Sequence, residues 1–239
     1  SNIGLECHQL NKIECANFYK YCFAHNFDER DAVEFDGYAT DYVKPQSVKF
    51  GTTYTQIDDI YSFTFAIADY PLYVGNAWGA ELFNIPNTKV VLTMKPIEKG
   101  KAVKRIDHAI TEMRARDMFK ASEQISQETH VGTMAALMES LQNGNETLLD
   151  CTLTITGFNY SKSENALFRK EIYRQITSNG FRVNSMYARQ FEGFVSSSIS
   201  RRTGSKSIER GINSESLAAI FPFVFSACIE DDGICIGYD

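Results

Sequence analysis

Between Leu148 and Gly157 the chain alternates almost without interruption. Leu149, Cys151, Leu153 and Ile155 fall on one side, and Asp150, Thr152, Thr154 and Thr156 on the other. A period of two is the period of a pleated strand with one apolar face. A helix would scatter those apolar residues around its circumference, so this stretch predicts a strand and little else. A second segment repeats the pattern: Tyr61, Phe63, Phe65 and Ile67 alternate with Ser62, Thr64 and Ala66, until Pro71 ends it. A third, Lys89 to Lys95, carries Val90, Leu92 and Met94 on one face and is closed by Pro96. Phe181 to Met186 reads as a short fourth strand.

Between these strands the period changes to that of a helix. Lys101 to Ser122 places Val103, Ile106, Ile110 and Met113 on one stripe. A second helix follows, with Val131, Met134, Leu137, Met138 and Leu141 on one face, and Asn143-Gly144-Asn145 to stop it. Ser161 and Glu164 have the spacing of a capping box. The helix they open carries Phe168, Ile172 and Ile176 and ends at Asn179-Gly180. Shorter helices are expected over Asn76 to Phe83, Tyr187 to Val195 and Ser214 to Cys228, the last bent or started near Pro222. Near the N-terminus, Asn11 to His25 reads as a helix with Cys15, Phe18, Tyr19 and Cys22 on one face. An acidic stretch, Asp28 to Asp36, follows it.

The element order gives an α+β class: a mostly antiparallel sheet, helices packed on one face, and an N-terminal helical extension. The polar strand faces are expected to meet solvent or a partner. Three regions are expected: a helical and acidic extension over 1–47, an α+β domain over 48–200, and a basic loop, a helix and the start of a strand over 201–239. Ser1-Asn2 looks like a cloning scar, and Ile234 to Asp239 reads as a strand just beginning. Both ends suggest a piece of a longer protein.

Composition sets bounds on function. Hydrophobic residues make up 44% of the 239, enough for a core, and charged residues 23%. Thirty acids against 24 bases give a net charge of −6, the wrong sign for a global nucleic-acid footprint. The longest apolar run, Leu217 to Ile229, contains Pro222 and falls well short of the roughly 20 residues a spanning helix needs. No secretion signal is visible at the start. The six cysteines, Cys7, Cys15, Cys22, Cys151, Cys228 and Cys235, are read as reduced thiols of a cytoplasmic protein.

Motifs for chemistry are sparse. Thr203-Gly204-Ser205-Lys206-Ser207 echoes the end of a phosphate-binding loop, but Ser205 separates the glycine from the lysine. Ile199 stands where the loop's first glycine is needed. Cys7, His8, Cys15, Cys22 and His25 offer zinc-type ligands at irregular spacings, and core packing is the better reading. His108 and His130 sit outside any recognisable catalytic pattern. Arg201, Arg202, Lys206 and Arg210 form a local basic cluster able to touch phosphates or an acidic protein surface. Two glycosylation sequons, at Asn145 and Asn159, have no role in a cytoplasmic chain. Within this segment no catalytic, cofactor-binding or metal residue is assigned.

Three stretches together resemble the N-terminal region of the conjugative-transfer ATPases of type IV secretion (the TraE/TrbE/CagE group). They are Tyr70-Pro71 with Val74 and Trp78; Met94-Lys95-Pro96-Ile97-Glu98 leading into a charged helix; and Asn213 to Phe223 followed by Asp232 to Tyr238. The resemblance covers roughly residues 45–239. It implies a non-catalytic assembly and docking domain, with ATP and magnesium belonging to a C-terminal ATPase domain beyond the segment. It also implies a place at the cytoplasmic face of the membrane, inner-membrane channel components as partners, and homo-oligomers of the full-length protein; the negative net charge argues against direct nucleic-acid binding. The interaction surface is expected at Arg201, Arg202, Lys206, Arg210, Leu217, Phe221 and Phe223, with the Leu217 to Ile229 helix packing on the ATPase half. Two rival readings are an α+β enzyme with an unrecognised active site and a DNA-contacting module using the 201–210 loop.

Overall fold

The two most regular strands pair with each other. In a computed structural model they are β3 (Ile60–Asp69) and β5 (Leu148–Asn159), antiparallel, with Phe63 opposite Gly157 and Phe65 opposite Ile155. The structure describes residues 9–24, 37–71, 75–117, 124–144, 146–198 and 206–220. Among them seven strands form one sheet in the order β1 (Val48–Phe50), β2 (Thr55–Ile57), β3, β5, β4 (Thr88–Pro96). Two short strands complete it: β6 (Arg182–Asn184) pairs with β3, and β7 (Arg210–Asn213) with β5. The pairs β1–β2, β2–β3, β3–β5, β3–β6 and β5–β7 are all antiparallel. The class is α+β with a mostly antiparallel sheet, as the patterning predicts.

Among the described residues eight α-helices accompany the strands: α1 (Lys12–Ala24), α2 (Ala39–Val43), α3 (Ala80–Phe83), α4 (Lys99–Asp117), α5 (Gln124–Asn143), α6 (Lys162–Ser178), α7 (Gln190–Ser197) and α8 (Ser214–Ala218). The chain divides into two units. One comprises Ser1–Tyr70, Asn87–Thr93 and Thr152–Glu209; the other comprises Pro71–Pro86, Met94–Cys151 and Arg210–Asp239.

In the first unit both faces of β3 are covered. On the apolar face, Phe63 meets Phe168 of α6 edge-to-face at 5.8 Å, and Phe65 meets Tyr173 at 6.0 Å. Gly157 makes this possible: a β-carbon there would lie 2.4 Å from the Phe63 ring and 2.9 Å from Phe168. On the other face Ala66 packs with Met186 and Ile208, and α7 brings Gly193 against Thr64.

The expected one-sided sheet is therefore corrected here. Thr64, Thr152, Thr154 and Thr156 are all 4% exposed or less. Hydroxyls can enter a core when they find partners. Thr64 and Thr156 share a hydrogen bond at 3.0 Å, and Thr154 Oγ1 donates to the Val91 carbonyl at 3.4 Å. The helix laid against Thr64 presents Gly193, Ser196 and Ser197, small residues that allow close approach.

The N-terminal helix also differs in its face. Ala16, Asn17 and Cys22 are buried, whereas Phe18 and Tyr19 are exposed. A polar bond helps set this orientation: the Tyr42 hydroxyl of α2 donates to Asn17 Oδ1 at 2.7 Å. Ser161 does precede α6, but the capping-box bond is absent and its hydroxyl pairs with Ser163 at 2.8 Å. Gly180, at φ +82°, follows that helix as expected.

In the second unit α4 and α5 pack together around Ala102, Ile106, Ile110, Leu141 and Leu148, with Ile97, Met134, Leu137 and Met138 against them. The Met113 and Val131 side chains lie outside the described residues. Gly144 at φ +78° stops α5, and Lys99 Nζ donates to the Gln142 carbonyl at 2.6 Å, a basic end-group on carbonyls that the helix leaves open. Asp150, on the polar side of β5, takes an ion pair from Arg105 at 2.5 Å.

Candidate functional site

Two places carry unusual local chemistry, one in each unit. In the first, Lys89 stands at the start of β4, where alternation marks it only as a strand-end lysine. Its amine turns to α1 and donates to the carbonyl of Cys22 at 3.1 Å. That carbonyl belongs to the last turn of α1, which has no acceptor role within the helix. The Phe158 ring lies 5.9 Å away. Burial pushes the Lys89 amine down to about 8, with the Cys22 thiol opposing that shift slightly. Burial in turn raises the Cys22 thiol above its ordinary value, and Lys89 offsets part of the rise.

Lys89 borders a cleft of about 560 Å³ lined also by Tyr21, Ile60, Asn87, Thr88, Phe158, Asn159 and Tyr160. That is within the size range of small-ligand sites. On its other side is a void of about 10 Å³, bordered by Cys22, Thr55, Ser62, Thr64, Thr156, Ser197 and Ser198, room for about one water. Among the described residues no carboxylate lines either space.

In the second unit four separate segments are stitched together by hydrogen bonds. The indole N–H of Trp78 donates to the Ser216 carbonyl at 2.9 Å, and Gly79 N–H donates to the Ile220 carbonyl at 3.1 Å. Ile97 N–H donates to the Leu148 carbonyl at 2.9 Å. Ser214 N–H donates to the Thr147 carbonyl at 2.9 Å, and Thr147 N–H donates to the Ser214 hydroxyl at 3.1 Å. The Ser214 hydroxyl also bonds the Glu146 carboxylate, which accepts from Glu215 N–H at 3.3 Å. A carboxylate at the first turn of α8 suits the open amides there.

Of the residues expected to form an interaction surface, Arg201, Arg202, Phe221 and Phe223 lie outside the described residues. Lys206 is exposed in a single 3-10 turn, Lys206–Ile208. Arg210 is half-buried in β7, opposite Cys151 of β5. The helix expected to end at Val195 runs on through Ser196 and Ser197, and the basic loop expected from 201 gives way to a strand at Arg210. The described members of the basic cluster sit in different elements. Leu217 is half-buried in α8. The helix expected to run to Cys228 is described only to Ala218, with a turn to Ile220.

The remnant of a phosphate loop has other work. Thr203, Gly204 and Ser205 are outside the described residues, and the Ser207 hydroxyl accepts from Arg189 Nη2 at 3.1 Å. Of the zinc-type ligands, Cys7, His8 and His25 are outside; Cys15 and Cys22 are free thiols. Among the described residues no three His, Cys, Asp or Glu converge as a metal site. His108 is exposed on α4, 3.8 Å from Glu112. The His130 side chain is outside the described residues. Among the described residues no helix is long and apolar enough to cross a membrane.

No protein-family model matches the chain, and no curated protein matches it. Function therefore rests on the residues themselves.

Proposed function

We propose that this chain is the non-catalytic N-terminal assembly and docking part of a conjugative-transfer, type IV secretion ATPase. It works at the cytoplasmic face of the membrane, against inner-membrane components of the channel. ATP and magnesium belong to a C-terminal ATPase domain of the parent protein, which assembles as a homo-oligomer.

One observation carries the reading. The three stretches that bear the resemblance lie far apart in sequence, yet all of their described residues except Tyr70 fall in one unit. The Trp78 and Ser216 stretches bond directly to each other. The stretch beginning at Met94 joins the Leu148 carbonyl next to Thr147, which bonds Ser214. Short motifs that match by accident have no reason to be assembled around one junction. A second feature suits docking. β4 ends the strand order, and Met94, Lys95 and Pro96 on it are exposed. A strand at the end of a sheet is a place where a partner segment can add.

The test is capture from detergent-solubilised host membranes, with the retained proteins identified by mass spectrometry. The expected result is recovery of membrane-embedded proteins encoded with the transfer apparatus, without added ATP, and no ATP hydrolysis by the chain alone. A well-folded sample that retains none of them sinks docking by this segment.

A further inference from the structure

The Lys89 amine has two features that an ordinary surface lysine lacks. It is half-buried, and among the described residues its hydrogen-bond partner is a neutral carbonyl, Cys22 O at 3.1 Å. An ammonium in that position loses hydration and gains no carboxylate partner among the described residues, which shifts the balance toward the neutral amine. A neutral amine is a nucleophile, because its lone pair is free to attack. Lys89 also lines a cleft of about 560 Å³. Its lining supplies amides (Asn87, Asn159), hydroxyls (Thr88, Tyr21, Tyr160) and an aromatic face (Phe158), with no acidic group among the described residues to repel an anion. Amide and hydroxyl donors beside a nucleophile suit an electrophile that carries negative charge on oxygen.

We propose that Lys89 is an acylation site for small acyl phosphates held in this cleft. The nitrogen lone pair attacks the acyl carbon and a C–N bond forms. The bond from acyl carbon to phosphate oxygen breaks, and its electron pair leaves on phosphate. The nitrogen gives its proton to solvent. The product is a neutral amide whose remaining N–H can keep the bond to the Cys22 carbonyl. Acylation therefore removes a buried charge without breaking the tie between α1 and β4.

The test uses the intact chain and acetyl phosphate at pH 7.5, with the rate at each of the 13 lysines read by quantitative peptide mass spectrometry. Each unit by which an amine's pKa falls raises its neutral fraction about tenfold in this range. Lys89 is expected to be acylated at least about tenfold faster than exposed lysines such as Lys49, Lys104 and Lys170. Inorganic phosphate, competing for the cleft, is expected to slow Lys89 and leave those three unchanged. A Lys89 rate no higher than theirs overturns the proposal. So does a fast rate that phosphate does not slow, since the cleft then has no part in it.

Discussion

Replacing Gly79 with alanine probes the junction in the second unit with the smallest possible change. Gly79 has φ −81° and ψ −16°, an ordinary right-handed conformation. Alanine is at home there, and by restricting the unfolded chain it would favour folding by about 0.4–1 kcal/mol if space allowed. Space does not allow it. A β-carbon would lie 2.3 Å from Ile220 Cγ1 and 2.9 Å from the Ile220 carbonyl oxygen. Normal contact requires more than 3.4 Å, so the two segments must separate by about 1 Å. Overpacking of this kind costs about 1–3 kcal/mol. Separation also weakens the Gly79–Ile220 and Trp78–Ser216 bonds, each worth about 0.5–1.5 kcal/mol net. The expected net loss is about 2–3 kcal/mol. Trp78 is the chain's one tryptophan, so its fluorescence reports directly on the junction. Urea unfolding of Gly79→Ala should show the lower stability, with native emission shifted to the red. Ile220→Ala in the same chain removes Cγ1 and should recover part of the loss, because only the carbonyl contact remains. A Gly79→Ala protein within about 0.5 kcal/mol of the parent, with unchanged emission, would refute the reasoning.

Three further expectations follow from buried groups. Thr64→Val leaves the Thr156 hydroxyl buried without its partner and should cost about 1–3 kcal/mol, whereas the Thr64→Val, Thr156→Val pair should cost less than the sum of the two singles; additive losses in chemical denaturation would contradict this. The Cys151 thiol is fully buried, and burial, with Asp150 beside it, pushes it up to about 11. Native protein treated with iodoacetamide at pH 8 should leave the Cys151 peptide unmodified, and rapid labelling without unfolding would contradict its burial. Lys89, at about 8 in the fold against 10.5 when exposed, binds fewer protons folded than unfolded between those values. Its cost is thus full below pH 8 and fades as pH rises to 10.5. Lys89→Met should be more stable than the parent at pH 7, by up to about 3 kcal/mol, and lose that advantage by pH 10.5. The Cys151 titration pulls the other way in this window but is common to both proteins and cancels. A difference that does not change from pH 7 to that upper limit would exclude Lys89 as its source.

The long strands were legible because a period of two survives wherever one face is apolar, as it does from Tyr61 to Ile67 and from Leu149 to Ile155. The helix stops at Gly144 and Gly180 were legible for a local reason, since both sit at positive φ. The covering of the threonine face was not legible. Threonine alternation looks the same whether the hydroxyls meet water or one another, and α7 meets Thr64 with glycine and serine rather than with an apolar stripe. β7 is four residues long and exists because β5 offers it a register, Leu149 opposite Ile212; nothing local in Arg210-Gly211-Ile212-Asn213 demands a strand. The N-terminal helix was legible as a helix but not in its orientation, which depends on Tyr42 reaching Asn17. Neither notable site could be read from side-chain spacing. Lys89, Trp78 and Gly79 all bond main-chain carbonyls remote in sequence, and a carbonyl is the same whatever residue bears it.

The docking claim is tested most directly by site-specific photocrosslinking in the transfer host. A photoreactive amino acid is placed at Met94 on the exposed end of β4, at Lys206, and at Leu167 on the outer side of α6 as a comparison, all exposed positions. Irradiated membranes should yield adducts from Met94 to a membrane-embedded component of the transfer channel, and none of that mass from Leu167. The same adducts from all three positions, or none from Met94 in cells that transfer normally, would contradict a docking role for this chain.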